Sequence, residues 1–395
     1  MAHQERLLQL LQSYPQAALV SLLLVCPLVV LLLVRRRSSA AAATAREQLL
    51  RKLPSPPALP IIGHLHLIGP LPHVSLRDLA AKHGRDGLLL LRLGAVPTLV
   101  VSTAQVAQAV LRTHDDVFAS RAYSAITDIL FYGARDMAFA PYGEHWRMVK
   151  KIATTHLLSN KKVQSYAHAR ETEVRSVIAM IRDAAESSTA TDLKDIFGAF
   201  SNDIVCRVMS GKFFRQEGRD KLSRELIEWN SVLLGGFNLA DYFPIFARCG
   251  IVRRLLCARA HKVNKQWDNL LNKLIDEHAS KPVSPSDGDD SDIIHVLLSL
   301  QDEYKLTRND IKAQLMVLLE GATDTTSAVL EYAMAELMRH PHIMNKLQAE
   351  LRMAFPEGKE ILSEDDLNGV EYLKAVVKET LRFAMRCLSF CPTSL

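Results

Sequence analysis

DIKAQLMVLLEGATDTTSAVLEYAMAELMRHP, from Asp310 to Pro341, reads as one long apolar helix with a run of small and polar residues at its centre, Gly321 to Thr326. Glycine costs about 1 kcal/mol against alanine inside a helix, and a threonine hydroxyl can bond back to the carbonyl four residues earlier and bend the rod. Thr307 with Asp310 three residues on forms an acidic capping box, Arg339 and His340 occupy the last turn, and Pro341 forbids continuation. At helical rise the run spans about 48 Å, so its polar centre falls within the core of a large domain. A kinked helix whose threonines satisfy their own backbone accounts for this pattern. So does a ligand seated in a groove, with Gly321 and Ala322 giving room and Asp324 and Thr325 moving protons.

The composition frames that choice. With 48% hydrophobic and 23% charged residues in 395, the chain has material for one large core and is not disordered. The net charge of +5 is mild and the basic residues are interspersed with acids, so nothing supports nucleic-acid binding. Cys26, Cys206, Cys249, Cys257, Cys387 and Cys391 form no C-x-x-C pair and no disulfide framework, which fits a reducing compartment.

An uncharged run from Ala17 to Val34, about 27 Å long as a helix, matches the hydrocarbon thickness of an endoplasmic reticulum bilayer. Arg35 to Arg37 follow it, which places the rest of the chain in the cytosol if the run spans the membrane. A cleaved signal peptide is the competing reading, but its apolar region is usually shorter and follows its positive charge. Residues 1–37 are thus expected to be an anchor in contact with membrane lipid. Residues 38–63 form a charged spacer and proline-rich hinge, ending in LPSPPALPIIG from Leu53 to Gly63.

Beyond the hinge, residues 64–382 read as mainly α with a small β-sheet. LLLLRLGAVPTLVVS, Leu88 to Ser102, reads as a β-hairpin turning at Gly94 to Pro97. Helices are expected near 144–158, 162–186, 192–210, 218–234, 252–280, 292–302, 310–340, 342–355 and 370–384, and KPVSPSDGDDS at 281–291 reads as a surface loop. No phosphate-binding loop, H-E-x-x-H, G-x-S-x-G or dinucleotide fingerprint occurs. His64/His66 and His340/His342 read as surface residues rather than metal ligands. Trp146 and Lys150 share a helix face at i and i+4, and Glu379 and Arg382 share one at i and i+3.

In this order, FASR (118–121), FAPYGEHWR (139–147), GATDTT (321–326), MAELMRHP (334–341) and KETLR (378–382), after the anchor and proline hinge, resemble the haem-thiolate monooxygenases of the cytochrome P-450 superfamily. The likeness is to the plant A-type group of the endoplasmic reticulum membrane. It implies haem b as cofactor, NADPH as electron source through a reductase partner, and insertion of one oxygen atom from O2 into a small lipophilic substrate; terpenoids, phenylpropanoids and indoles all qualify. By position, Asp324 and Thr325 match the acid–alcohol pair that relays protons during oxygen activation. Gly321 and Ala322 match the oxygen-binding groove, with alanine where the family usually has glycine. Trp146 and Lys150 match the helix that grips a haem propionate, with lysine where arginine is commoner, so the charge stays and the bidentate fork is lost. Glu379 and Arg382 match a buried charge network holding the core around the haem.

The resemblance ends near Arg382, and residues 383–395 read as a divergent tail. The family's cysteine-ligand loop, Phe-x-x-Gly-x-Arg-x-Cys-x-Gly, is not found; the required phenylalanine falls at Ala384 for Cys391 and at Thr380 for Cys387. The sequence reading therefore expects a P-450 fold lacking its haem-thiolate segment, with no axial metal ligand and no activity of the chain alone. A non-catalytic, membrane-tethered interaction protein and a degraded gene product remain as alternatives.

Overall fold

The computed structural model describes residues 49–211, 218–280, 291–355 and 362–388, which leaves the expected anchor (17–34), most of the expected loop (281–290) and Cys391 outside the described residues. Among the described residues no helix is long and apolar enough to cross a membrane. The chain divides into two compact units, residues 1–113 and 114–395.

The first unit holds helix α1 (Pro72–His83) and an antiparallel hairpin of β1 (Leu88–Leu93) and β2 (Val96–Val101). The turn is tighter than the sequence suggests. Leu93 pairs with Val96 and Pro97 with Arg92, so Gly94 and Ala95 alone make the reversal, Gly94 taking a left-handed φ of 63°. Alternation along β1 buries Leu89 and Leu91 completely. The proline run docks beside this strand, with the Leu90 N–H donating to Pro54 O at 2.8 Å and the His64 N–H to Arg92 O at 2.7 Å.

His64 corrects the reading of that histidine as a surface residue, since it is 1% exposed. Its Nδ1 accepts the Arg92 N–H at 2.7 Å, so the ring proton lies on Nε2, which donates to Pro56 O at 2.9 Å. One neutral imidazole thus pins the hinge to the hairpin. Gly63 beside it has φ 60°, and a Cβ there would meet Arg92 O at 2.1 Å, so the close approach requires glycine.

The second unit is helical. Its main elements are α2 (Ala125–Leu130), α3 (Glu144–Ile152), α4 (Ala167–Glu186), α5 (Leu193–Ser210), α6 (Asp220–Gly235), α7 (Ala258–Ala279), α8 (Ile293–Ser299), α9 (Arg308–Arg339), α10 (Pro341–Ala354) and α11 (Glu371–Leu388). Most expected helices are present; the long run at 252–280 divides at Cys257, where a shorter helix Gly250–Leu256 ends. α9 is the axis of the unit and packs along α5, α7, α8 and α11. It is uninterrupted through Gly321–Thr326, and the capping box predicted at Thr307 and Asp310 is complete. Trp267, Leu271 and Leu274 of α7 and Leu315, Met316 and Leu319 of α9 form the centre of the core, with Leu226 and Ile227 of α6 against them.

Candidate functional site

The polar centre of α9 is held as a regular helix by its own threonine. Thr325 Oγ1 donates to Gly321 O at 2.6 Å, the four-back bond anticipated from the sequence. Thr323 is buried, and its Oγ1 has no partner. A Cβ at Gly321 would meet nothing within 4 Å, so the helix wall there faces open space.

Helical periodicity sends the site residues in two directions. Ala322 and Thr326, with Leu318 one turn earlier, line a cavity of about 510 Å³ bounded by Val174 of α4 and by Phe200 and Ile204 of α5. Its wall is mostly apolar, with polar groups at Thr326, Ser201 and Glu171 and at the Arg170–Glu364 ion pair, 2.5 Å apart. Asp324 instead faces α6, where Ser231 Oγ donates to its Oδ2 at 2.6 Å. Asp324 and Thr325 therefore adjoin in sequence while hydrogen-bonding in different directions.

Trp146 and Lys150 meet as the i,i+4 spacing requires, with Lys150 Nζ 4.6 Å from the Trp146 ring centroid. The indole N–H donates to Met137 O at 3.1 Å, which fixes the ring and removes its donor from ligand contact. Lys150 is exposed and keeps its ammonium protons for an anion. Both site helices are tied to the segment before α3, through Trp146 of α3 to Met137 O and through Gln314 Nε2 of α9 to Arg135 O at 3.1 Å, and Arg121 Nε holds the same segment through Ala138 O at 2.9 Å.

The Glu379–Arg382 pair is bidentate, Nε to Oε2 at 2.7 Å and the second nitrogen to Oε1 at 2.6 Å. Its side chains are 55% and 52% exposed, which corrects the expectation of a buried network. An exposed i,i+3 pair contributes little. Glu379→Ala should leave the midpoint of chemical unfolding unchanged; a marked fall would show that the pair is buried in the folded protein.

The sequence reading missed two acids beside this site. Glu320 immediately precedes the polar run, and burial pushes its carboxyl up to about 8, against a hydrogen bond from Asn230 and with repulsion from Asp324 and Asp136 adding to the rise. Asp136 is fully buried; its Oδ1 accepts the N–H groups of Ala138 and Phe139 at 2.7 and 2.9 Å, its Oδ2 has no partner, and burial moves it up to about 6. The available signal was an acid directly abutting an apolar helix centre, which reads equally as an ordinary helix-surface glutamate.

A flat apolar macrocycle with anionic edges fits part of this set: the open wall at Gly321, the apolar cavity beside Ala322 and the exposed ammonium of Lys150. The cavity wall contains no cysteine, and of the described thiols Cys206 and Cys257 are buried in the core while Cys249 is exposed. Burial raises the Cys257 thiol, keeping it protonated.

Comparison with known proteins accords with the arrangement. A family model for cytochrome P450 matches residues 53–390. The chain is 53% identical over 338 residues to indole-2-monooxygenase of Zea mays, covering 85% of this chain and 63% of that protein. It is 51% identical to 3-hydroxyindolin-2-one monooxygenase and 49% identical to indolin-2-one monooxygenase of the same plant, covering 83% and 84% of this chain and 62% and 64% of those proteins. The chain spans less than two thirds of the length of these relatives. On the length of the family match and the level of identity, the chain belongs to the cytochrome P450 family.

Proposed function

We propose that the protein works as a haem-dependent monooxygenase that inserts one oxygen atom into a small lipophilic, indole-like metabolite, with electrons drawn from NADPH through a reductase. The identity of about half the aligned residues to relatives named for indole and indolinone oxidation carries this reading. The open wall of α9 beside an apolar cavity supports it. Bound haem would supply the activation of O2. Lys150 would hold an anionic edge of the macrocycle, Gly321 and Ala322 would leave room against its face, and Asp324 with Thr325 would move protons at their carboxyl and hydroxyl oxygens. Attachment to the endoplasmic reticulum membrane through 17–34, with the globular part in the cytosol, belongs to the same proposal and rests on the sequence alone.

The reduced, carbon-monoxide difference spectrum of the 395-residue chain supplied with haem is the direct test. A thiolate-type Soret band supports the reading and assigns a cysteine to the iron; a chain that takes up no haem refutes it for this polypeptide. In a haem-loaded, active form, Asp324→Ala and Thr325→Ala are each expected to uncouple electron consumption from product formation. Unchanged coupling in both variants would remove these residues from proton delivery.

A further inference from the structure

A second cluster of metal-ligating side chains lies where α5 and α7 end and α8 begins. His278 of α7, Asp292 at the N-cap of α8 and His295 in its first turn bring a ring nitrogen, a carboxylate oxygen and a second ring nitrogen within 4.8 Å of one another. His278 and Asp292 are buried, and His295 is 21% exposed.

The hydrogen-bond chemistry of His278 indicates what the cluster holds. Its Nδ1 lies 2.6 Å from Leu274 O, and a carbonyl oxygen only accepts, so Nδ1 carries a proton. Its Nε2 then faces two further acceptors, Ser210 O at 3.1 Å and Asp292 Oδ2 at 3.2 Å. A lone pair cannot sit stably against two oxygens, so a cation belongs between them. The same Oδ2 lies 2.8 Å from His295 Nδ1, while Asp292 Oδ1 is engaged by the His295 backbone N–H at 2.9 Å. Protons on His278 Nε2 and His295 Nδ1 satisfy these contacts as hydrogen bonds; one metal ion at their centre replaces both protons.

We propose that His278 Nε2, His295 Nδ1, Asp292 Oδ2 and the Ser210 carbonyl form a binding site for a divalent transition-metal ion of the zinc class. Ligands 2.0–2.2 Å from a tetrahedral zinc lie about 3.3–3.6 Å from one another; the three bonded contacts of 2.8–3.2 Å must open slightly, and the two ring nitrogens, within 4.8 Å of each other, must close by about 1 Å or less. Two imidazoles favour zinc over magnesium or calcium, and the absence of thiolate from the set disfavours Cu(I). The Nδ1–H to Leu274 O bond is the outer-shell contact that fixes the tautomer and aims Nε2 inward, as metal-ligating histidines require. The ion would fasten the C-terminal ends of α5 and α7 to the start of α8, next to Met209 and Ile293 of the α9 cavity wall.

The test uses the 395-residue chain, stripped with a chelator and titrated with Zn2+ against a chromophoric competitor, then with Co2+. One equivalent of tightly held zinc and the intense visible bands of four-coordinate cobalt are expected, with affinity at least about tenfold lower in His295→Ala and Asp292→Asn. His295 is the less buried ligand, and circular dichroism establishes that its variant folds. Chelation should lower the thermal midpoint of the wild type and leave that of His295→Ala unchanged. Failure of the wild-type chain to take up zinc in stoichiometric amount, or cobalt bands of the weak six-coordinate type, would overturn the proposal and assign His278 as a buried imidazolium.

Discussion

Glu320→Gln is expected to stabilise the protein at pH 7 by about 3 kcal/mol while leaving its stability near pH 4 unchanged. Trp267, fully buried, donates its indole N–H to Asn230 Oδ1 at 3.2 Å, and Asn230 Nδ2 in turn donates to Glu320 Oε2 at 3.2 Å. That single donor does not replace the water lost on burial, and Asp324 and Asp136 repel a charge at the same place, so the carboxyl is pushed up to about 8. An unfolded glutamate ionises near 4.3. Between those values the unfolded chain has released a proton that the folded chain keeps, so stability is highest below about pH 4 and falls as pH rises towards 8. Glutamine keeps the shape and an acceptor for Asn230 while removing the ionisation. Urea unfolding at pH 4.5 and 7.5 measures the difference, and an equal effect at both values would show that Glu320 is ionised in the folded protein.

Asp310→Asn should act in the opposite sense, destabilising the protein by about 3 kcal/mol at neutral pH. Asp310 is 2% exposed and closes the first turn of α9: its Oδ2 accepts the Thr307 N–H at 2.7 Å and hydroxyl at 2.6 Å, and Arg135 grips both oxygens. Burial alone would raise this carboxyl, but the bonds from Arg135 and Thr307 outweigh it and hold the group below the usual carboxylate range. Its contribution is therefore fully present above about pH 4, where an unfolded aspartate is also ionised, and is lost as pH falls through the lowered folded value. Asparagine leaves Arg135 facing a neutral amide at every pH. The two stability curves should converge in acid, and curves that stay parallel down to pH 2 would mean that Asp310 contributes as a cap and not as a charge.

The two acids lie ten positions apart on one helix and take opposite shifts, because their partners differ. Asp310 meets a guanidinium and a capping turn, whereas Glu320 meets one amide and two other carboxyls. Glu320→Gln also probes the candidate site, since Glu320 lies one turn before Asp324 and the two carboxyls repel. Coupling measured in Glu320→Gln separates a proton reservoir at Glu320 from a relay confined to Asp324 and Thr325.

Local chemistry determined the secondary structure. The Thr307–Asp310 capping box and Pro341 set the ends of α9 to within a residue or two, because the signals lie within one turn of the feature they control. The hairpin, the Trp146–Lys150 stack and the Thr325 back-bond likewise follow from spacings of four residues or fewer, and the ordered motifs sufficed to identify the family. What the sequence alone did not reveal depends on partners far away along the chain. Asn230 is 90 positions from Glu320, Ser231 is 93 from Asp324, and Arg135 is 175 from Asp310. Whether a carboxyl is charged depends on which donors packing brings to it, and the same spacing rule that put Glu379 beside Arg382 could not say that the pair would lie in solvent. The single sequence thus set the helices, the hairpin and the inventory of acids and histidines. Tertiary packing alone decided which acids keep their protons and that His278, Asp292 and His295 converge, since burial and charge are properties of the assembled core and not of any short segment.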